Sequence, residues 1–168
     1  IRDHYLPVGS NDVVPKQPLS IVLALSDKID YLTSLWRIGI KPTGNKDPFA
    51  LRRTALAIIR IILENKLDVD LDYLIDLTKV NFDMSDLQLF LKERIINYLT
   101  ERKYQKKVVE VVVKQYKLDF LPILPRVLAE ITEFISSEPG VRFLAVYKRV
   151  FNLLSANKEL ISFKKNIS

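Results

Sequence analysis

The sequence contains no cysteine and only one histidine, and these two absences exclude several kinds of chemistry. Without cysteine the chain forms no disulfide, no thiolate zinc site and no cysteine nucleophile. A serine nucleophile would need His4 as its base, because no other histidine is present. The lack of cysteine is also typical of proteins from a reducing compartment, so we expect a cytoplasmic location.

Glycine is scarce, and long apolar runs are absent. The segment GIKPTGNK (39–46) holds two of the four glycines but lacks the spacing of a P-loop, which argues against ATP binding there. No apolar run approaches the roughly 20 residues that span a bilayer, and the first residues lack the features of an export signal. We therefore expect no membrane association. A start at Ile1 instead of Met favours a fragment of a longer protein.

The apolar residues that are present recur mainly at helical spacing, as in Leu25, Ile29, Leu32 and Trp36. The segment KKVVEVVVKQY (106–116) is ambiguous, because its five valines suit a strand whereas their lack of alternation favours a helix. We predict helices at about 18–36, 48–65, 71–80, 86–102, 105–116, 121–135 and 141–154. The predicted fold class is therefore all-α.

Helix starts and side-chain environments are predicted from local signals. Asp47 followed by Pro48 predicts an N-cap and first helical residue, and Ser85 with Gln88 fits a capping box. Tyr31 and Trp36 lie near the 39–50 loop, and for both we favour packing in the core over stacking on a base. Phe49 and Leu51 are also predicted to be buried.

The net charge of +6 is unevenly distributed. Residues 1–84 carry 11 basic and 11 acidic side chains, whereas residues 85–168 carry 15 and 9. A basic half favours an anionic partner, with nucleic acid as the first candidate. A solvated lysine-rich helical surface would give the same charge, so charge alone leaves both interpretations open.

Four cations concentrate around one loop and the following helix start: Lys41, Lys46, Arg52 and Arg53. Basic side chains at a helix N-terminus oppose the macrodipole, so an anion or an acidic neighbour is expected there. One interpretation is a phosphate contact. The other is internal pairing with one of the acidic residues Asp27, Asp30 and Asp47.

Four segments resemble the beta subunit of bacterial heterotetrameric glycyl-tRNA synthetase. They are DHYLP (3–7), SDKIDYL (26–32), IGIKPTGNKDPFALRR (38–53) and VYKRVFNLL (146–154). The last segment resembles the KRV-x-N-x-L segment of the family's anticodon-binding region. These matches occur in order along nearly the whole chain.

The resemblance implies two parts, the end of an HD-like helical domain (1–84) and the start of a DALR-type anticodon-binding helical domain (85–168). It implies a role in ATP-dependent glycylation of tRNA-Gly by a ligase of two alpha and two beta chains. Catalysis, ATP and Mg²⁺ would belong to the alpha subunit and the holoenzyme, so we expect no cofactor and no catalytic residue in this chain. The expected partners are tRNA-Gly, the alpha subunit and the remaining beta domains.

Candidate tRNA-binding residues follow from the basic segments that the resemblance covers and from a basic cluster interleaved with tyrosines around residues 92–107. They are Lys46, Arg52, Arg53, Arg94, Lys148 and Arg149. An alternative for Lys148 and Arg149 is pairing with Glu130 or Glu133 on the preceding helix.

A metal site is also implied by the HD-like resemblance, but only in a degenerate form. Asp27 matches the last ligand of the HD metal cluster, and His4 resembles a histidine of the segment before it. The second histidine and the upstream His-Asp pair are missing, so we expect remnants without a metal. Two other functions of the chain stay open. One is that of a metal-dependent HD-type phosphohydrolase, which the missing ligands disfavour. The other is that of a scaffold for subunit docking that never contacts RNA.

Overall fold

A computed structural model describes residues 5–9, 11–44, 46–79 and 83–156, without the side chains of Phe120 and Ala156. The described residues form seven α-helices and one 3₁₀ helix and contain no strand, which confirms the all-α prediction. The valine-rich segment is helical, as predicted. The elements are α1 Pro18–Arg37, α2 Leu51–Glu64, α3 Leu71–Asp76, α4 Met84–Glu101, α5 Lys106–Gln115, the 3₁₀ helix Leu118–Ile123, α6 Leu124–Ser136 and α7 Glu138–Ala156.

The chain divides between Leu128 and Ala129 into two compact units. The first unit contains α1 to α5, the 3₁₀ helix and the beginning of α6, and the second contains the rest of α6 and α7. The predicted boundary between family domains at 84/85 falls within the first unit. The assignment of the two halves to an HD-like and an anticodon-binding domain stays a prediction.

The core of the first unit is built around α2, which packs against α1, α4 and the 3₁₀ helix. Ile58, Ile59, Ile61 and Ile62 are fully buried on different sides of α2, so this helix lies at the centre of the unit. Four apolar residues of the predicted α1 stripe, Leu25, Ile29, Leu32 and Trp36, are buried as well. Removing such side chains from water is the main driving force for folding.

Two predicted helix starts are wrong in position. Helix α2 begins at Leu51, and the Asp47 carboxylate accepts hydrogen bonds from the backbone N–H groups of Leu51 and Arg52 at 2.8 and 3.0 Å. Asp47 therefore satisfies donors at the helix start without occupying the N-cap position, which is Ala50. Helix α7 begins at Glu138 and not at the predicted residue 141, so its first turn includes Pro139 and Gly140.

The predicted capping box of α4 is also wrong. The N-cap is Asp83, whose carboxylate accepts a hydrogen bond from the backbone N–H of Ser85 at 2.9 Å. Gln88 instead donates its side-chain amide to Asp72 at 2.9 Å. A partner on the preceding helix thus replaces the local partner that the capping-box pattern assumes.

A buried cation, Arg60, joins α2 to the N-terminal segment. Its guanidinium donates to the carbonyl oxygens of Gly9 and Asp12 at 3.0 and 2.5 Å and to Glu64 at 2.7 Å. Glu64 also accepts from the Tyr98 hydroxyl at 3.2 Å, which links α4 to the same cluster. A buried guanidinium requires such partners, because an unpaired buried charge is costly.

Candidate nucleic-acid interface

Arg52 orders the loop that precedes α2. Its guanidinium donates to the carbonyl oxygens of Gly44 and Lys46 at 2.6 and 3.5 Å. The same loop is closed by reciprocal backbone hydrogen bonds between Thr43 and Lys46 at 3.0 and 2.8 Å. The predicted pairing with an acidic side chain is wrong for the Arg52 guanidinium, since neutral carbonyl groups take its hydrogen bonds.

The remaining cations of this region differ in their environment. Lys41 forms an ion pair with Asp86 and lies 5.5 Å from the centre of the Trp36 ring. Lys46 and Arg53 are exposed, and their side chains form no hydrogen bond or ion pair with the residues that the structure describes. Of the four cations around the loop and the start of α2, Lys46 and Arg53 are therefore the two that are available to an external anion.

The side chain of Arg94 is largely covered by neighbouring residues of the first unit. Its side chain is 23% exposed, and its guanidinium lies 5.8 Å from the Phe90 ring centre and 3.9 Å from a Glu93 oxygen. Its Nε is buried without a hydrogen-bond partner in the described part of the chain. This environment offers less of Arg94 to a ligand than Lys46 or Arg53 offers.

Lys148 and Arg149 lie on α7 in the second compact unit, and both are exposed. Neither side chain forms a hydrogen bond or ion pair with another described residue. The predicted alternative, in which Glu130 or Glu133 neutralises them, is therefore wrong for the described part of the chain. Both cations remain accessible from solvent.

An aromatic ladder runs along α7 beside these cations. We use this name for Phe143, Tyr147 and Phe151, whose ring centres are 6.4 and 6.1 Å apart in sequence order. All three rings are more than half exposed. Lys148 precedes Phe151 by three residues, so the two side chains are neighbours on the helix surface. The i, i+4, i+8 spacing was visible in the sequence, but only the structure shows that the rings are uncovered.

A pocket of about 330 Å³ lies between residues 5–8, α1 and the first turns of α2. The Lys28 ammonium donates to the Tyr5 carbonyl oxygen at 3.3 Å, and burial lowers the pKa of Lys28 while the neighbouring Asp27 carboxylate opposes that shift. The lining residues are Tyr5, Pro7, Val8, Asp27, Lys28, Tyr31, Arg53, Thr54 and Ala57. The sequence indicated Asp27 and Arg53 separately but gave no sign that they share a pocket.

Tyr31 and Phe49, both predicted to lie in the core, are instead partly exposed. Tyr31 is 42% exposed and Phe49 is 43% exposed, so both predictions are wrong. The Tyr31 hydroxyl donates to the Phe49 carbonyl oxygen at 3.1 Å, which anchors the ring at the edge of the pocket. Trp36 and Leu51 are buried, as predicted.

Of the two predicted metal-site remnants, His4 and Asp27, the structure describes only Asp27. Asp27 faces the pocket, whereas His4 lies outside the described residues. The described residues contain no group of three or more His, Cys, Asp or Glu side chains able to hold a metal ion. None of the helices in the described ranges is long and apolar enough to cross a membrane.

Comparison with known proteins gives one consistent family. The family model described as the glycyl-tRNA synthetase beta subunit matches residues 1–114. The glycine–tRNA ligase beta subunit of Paracoccus denitrificans (strain Pd 1222) is 36% identical over 159 residues, which cover 95% of this chain and 23% of the relative. Its counterpart from Ruegeria sp. (strain TM1040) is 38% identical over 156 residues, covering 93% and 23%. The chain thus spans about a quarter of the length of these curated relatives.

Proposed function

The chain belongs to the glycyl-tRNA synthetase beta-subunit family, and from this we propose that it helps to bind and position tRNA-Gly for ATP-dependent glycylation. In this proposal the alpha subunit carries the chemistry and uses ATP and Mg²⁺. The present chain and the remaining beta domains bind the tRNA and set the position of the subunits. This chain alone is then inactive in glycylation.

The observation that carries the proposal is the exposed surface of α7. Lys148 and Arg149 are without partners among the described residues, and Lys148 neighbours the aromatic ladder. Lysine and arginine supply phosphate contacts, and exposed aromatic rings stack on unpaired bases, which is the usual combination in RNA-binding surfaces. The same helix contains the KRV segment that resembles the anticodon-binding region.

Removing both α7 cations tests this proposal. We expect Lys148→Ala with Arg149→Ala to weaken binding of tRNA-Gly by about tenfold at moderate salt, because two phosphate contacts are lost. The slope of log affinity against log salt should fall in magnitude by roughly one to two, since each phosphate contact contributes close to one. Fluorescence anisotropy with labelled tRNA-Gly, titrated across salt concentrations, measures both quantities.

Arg142→Ala is the matched control, because it removes a cation from the same helix that is already paired with Glu138 at 2.5 Å. This control should change affinity by less than about twofold. Equal affinity and equal salt slope in the double variant and the wild type would contradict the proposed contact. A preference for tRNA-Gly over a non-cognate tRNA would add that bases are read within this chain.

A scaffold role is the second candidate, and an apolar groove favours it. The groove has a volume of about 450 Å³ between α1, residues 67–69 and α3. Val22 and Leu77 line it and are each more than half exposed. An apolar segment of the alpha subunit or of another beta domain would suit such a surface.

Salt dependence separates the two candidates. Docking through the groove should depend little on salt, and Val22→Asp should weaken binding of the alpha subunit while tRNA affinity is unchanged. Size-exclusion chromatography of the mixed subunits measures the first effect, and tRNA anisotropy measures the second. Loss of tRNA affinity in Val22→Asp would assign the groove to RNA and remove the case for a scaffold.

A further inference from the structure

We propose that the pocket between residues 5–8, α1 and α2 binds one unpaired nucleotide of an RNA strand. Arg53 would contact the phosphate group, and Tyr5 and Tyr31 would provide faces for the base. The proposal rests on the proposed function, because it names a site at which this chain would hold RNA.

The phosphate end of the site is defined by Arg53. This side chain is exposed, lines the pocket and forms no hydrogen bond or ion pair with other described residues. An arginine in the first turn of a helix opposes the macrodipole, so helix stability does not explain its position. Its planar guanidinium can donate two parallel hydrogen bonds to one phosphate group, which favours a phosphate over a chloride-sized ion.

Two backbone N–H groups at the start of α2 are not available to this anion. The N–H groups of Leu51 and Arg52 already donate to Asp47. The side chains of the pocket supply its charge, since Lys28 adds a second positive charge and Asp27 a negative one. The balance of one net positive charge matches the single negative charge of a phosphodiester group.

The base end of the site is defined by two tyrosines. Tyr31 is fixed by the hydrogen bond from its hydroxyl to Phe49, and 42% of its surface remains exposed. Tyr5 is 65% exposed, and its carbonyl oxygen accepts a hydrogen bond from Lys28. A ring that is held in place, such as that of Tyr31, loses little conformational freedom when a base stacks on it, and the exposed Tyr5 ring offers a second face.

The size and the remaining polar group favour a single amino-bearing base. A volume of about 330 Å³ lies at the lower end of the range of ligand pockets, roughly 300–1,000 Å³, which leaves room for one nucleotide. Asp27 lines the pocket, and its carboxylate has no hydrogen bond or ion pair with other described residues. An ionised carboxylate only accepts hydrogen bonds, so it favours a base with an exocyclic amino group, such as adenine, over uracil.

The test uses the full chain and a short single-stranded oligoadenylate in which one base is 2-aminopurine. Stacking on Tyr5 or Tyr31 should quench the 2-aminopurine fluorescence on binding. Arg53→Gln should weaken this binding by about tenfold, as expected for the loss of a charge-assisted hydrogen bond. Asp27→Asn should reduce the preference for oligoadenylate over oligouridylate.

Arg37→Gln is the control for charge, because Arg37 is also exposed, lies outside the pocket and forms no hydrogen bond or ion pair with described residues. It should change the affinity by less than about twofold. Arg53→Lys keeps the charge but not the two parallel donors, so its affinity should fall between those of Arg53→Gln and the wild type. Circular dichroism confirms that the compared variants have the same helix content.

Equal weakening by Arg53→Gln and Arg37→Gln would overturn the proposal, because it would show a diffuse charge effect. If a duplex of the same sequence competes as well as the single strand, the claim that the pocket binds an unpaired nucleotide is overturned. Competition by AMP equal to that by the oligonucleotide would assign the pocket to a free nucleotide and overturn its assignment to RNA. An unchanged oligoadenylate affinity in Arg53→Gln, with tRNA-Gly still bound through α7, would remove this site and leave the proposed function intact. A wild-type chain that fails to bind tRNA-Gly would remove the proposed function itself.

Discussion

Glu64 is the residue on which the polar contacts of the first unit converge. Its Oε1 atom accepts hydrogen bonds from Arg60, Tyr98 and Arg102 at 2.7, 3.2 and 2.9 Å. Burial raises the pKa of Glu64, but the hydrogen bonds from Arg60 and Tyr98 and the charges of Arg60 and Arg102 lower it on balance. The same surroundings, chiefly burial, raise the pKa of Tyr98 to about 12, so its hydroxyl stays protonated and continues to donate.

We expect Glu64→Gln to destabilise the fold in a pH-dependent way. A carboxyl group whose folded pKa is depressed contributes stability above its unfolded pKa, and this contribution is lost as the pH falls through the folded pKa. The free energy of unfolding should therefore drop by about 1–2 kcal/mol at pH 7, and the difference from the wild type should shrink as the pH falls below about 4. Urea denaturation across this pH range measures it.

Glu101→Gln is the control, since Glu101 is an exposed carboxylate of α4 without a partner among the described residues. This variant should match the wild type within about 0.5 kcal/mol at every pH. A difference for Glu64→Gln that stays constant from pH 7 to pH 3 would contradict an ionic role for Glu64.

For individual residues, the sequence shows which side chains are charged but not which ones are paired. Arg52 and Arg53 are adjacent and chemically identical, yet Arg52 binds loop carbonyl groups while Arg53 lines a pocket. Arg60 lies within an apolar helix, and its partners Gly9 and Asp12 are about 50 positions away in sequence. Partners this distant are set by tertiary packing, which local sequence patterns do not contain.

A close contact between α6 and α7 occurs at Gly140, in the first turn of α7. A Cβ atom on this residue would lie 1.9 Å from the carbonyl oxygen of Phe134. Backbone atoms cannot yield as the end of a flexible side chain can, so only glycine fits without a shift of the connection between the helices. The residue is buried although most of α7 is exposed.

We expect Gly140→Ala to destabilise the second unit by about 3 kcal/mol or more, because the added methyl group overlaps the backbone. The sign is informative, since Gly→Ala within an unobstructed helix stabilises it by about 1 kcal/mol. Thermal denaturation followed by circular dichroism at the helix band measures the change. An unchanged or raised melting temperature would show that the two helices do not meet at this glycine.

Sequence patterns predicted the helices well and their ends less well. The apolar period fixed α1, α2 and α4 to within a few residues, because the apolar residues at helical spacing are the ones that each helix buries. A lysine with a left-handed backbone follows the end of two of these helices. These are Lys66 after α2 and Lys103 after α4, with φ values of 53° and 71°. Glycine is the usual residue at that position, so lysine gave no signal of a helix end.

For the whole molecule, family membership and the all-α fold were predictable, whereas the candidate sites were not. The fold class follows from the repeated helical period, and the family from long ordered segments. The pocket and the exposed aromatic ladder depend on which faces the packed helices leave uncovered. Phe143, Tyr147 and Phe151 have the same spacing as a buried stripe, so only the fold distinguishes these two situations.

Steady-state glycylation by the heterotetramer carrying Lys148→Ala and Arg149→Ala tests most directly whether this chain binds tRNA without taking part in the chemistry. We predict that KM for tRNA-Gly rises about tenfold while kcat and glycine-dependent ATP–pyrophosphate exchange stay at wild-type values, because contacts made equally in the ground and transition states affect binding alone. A fall in kcat or in exchange at an unchanged KM would contradict this division of roles between the subunits.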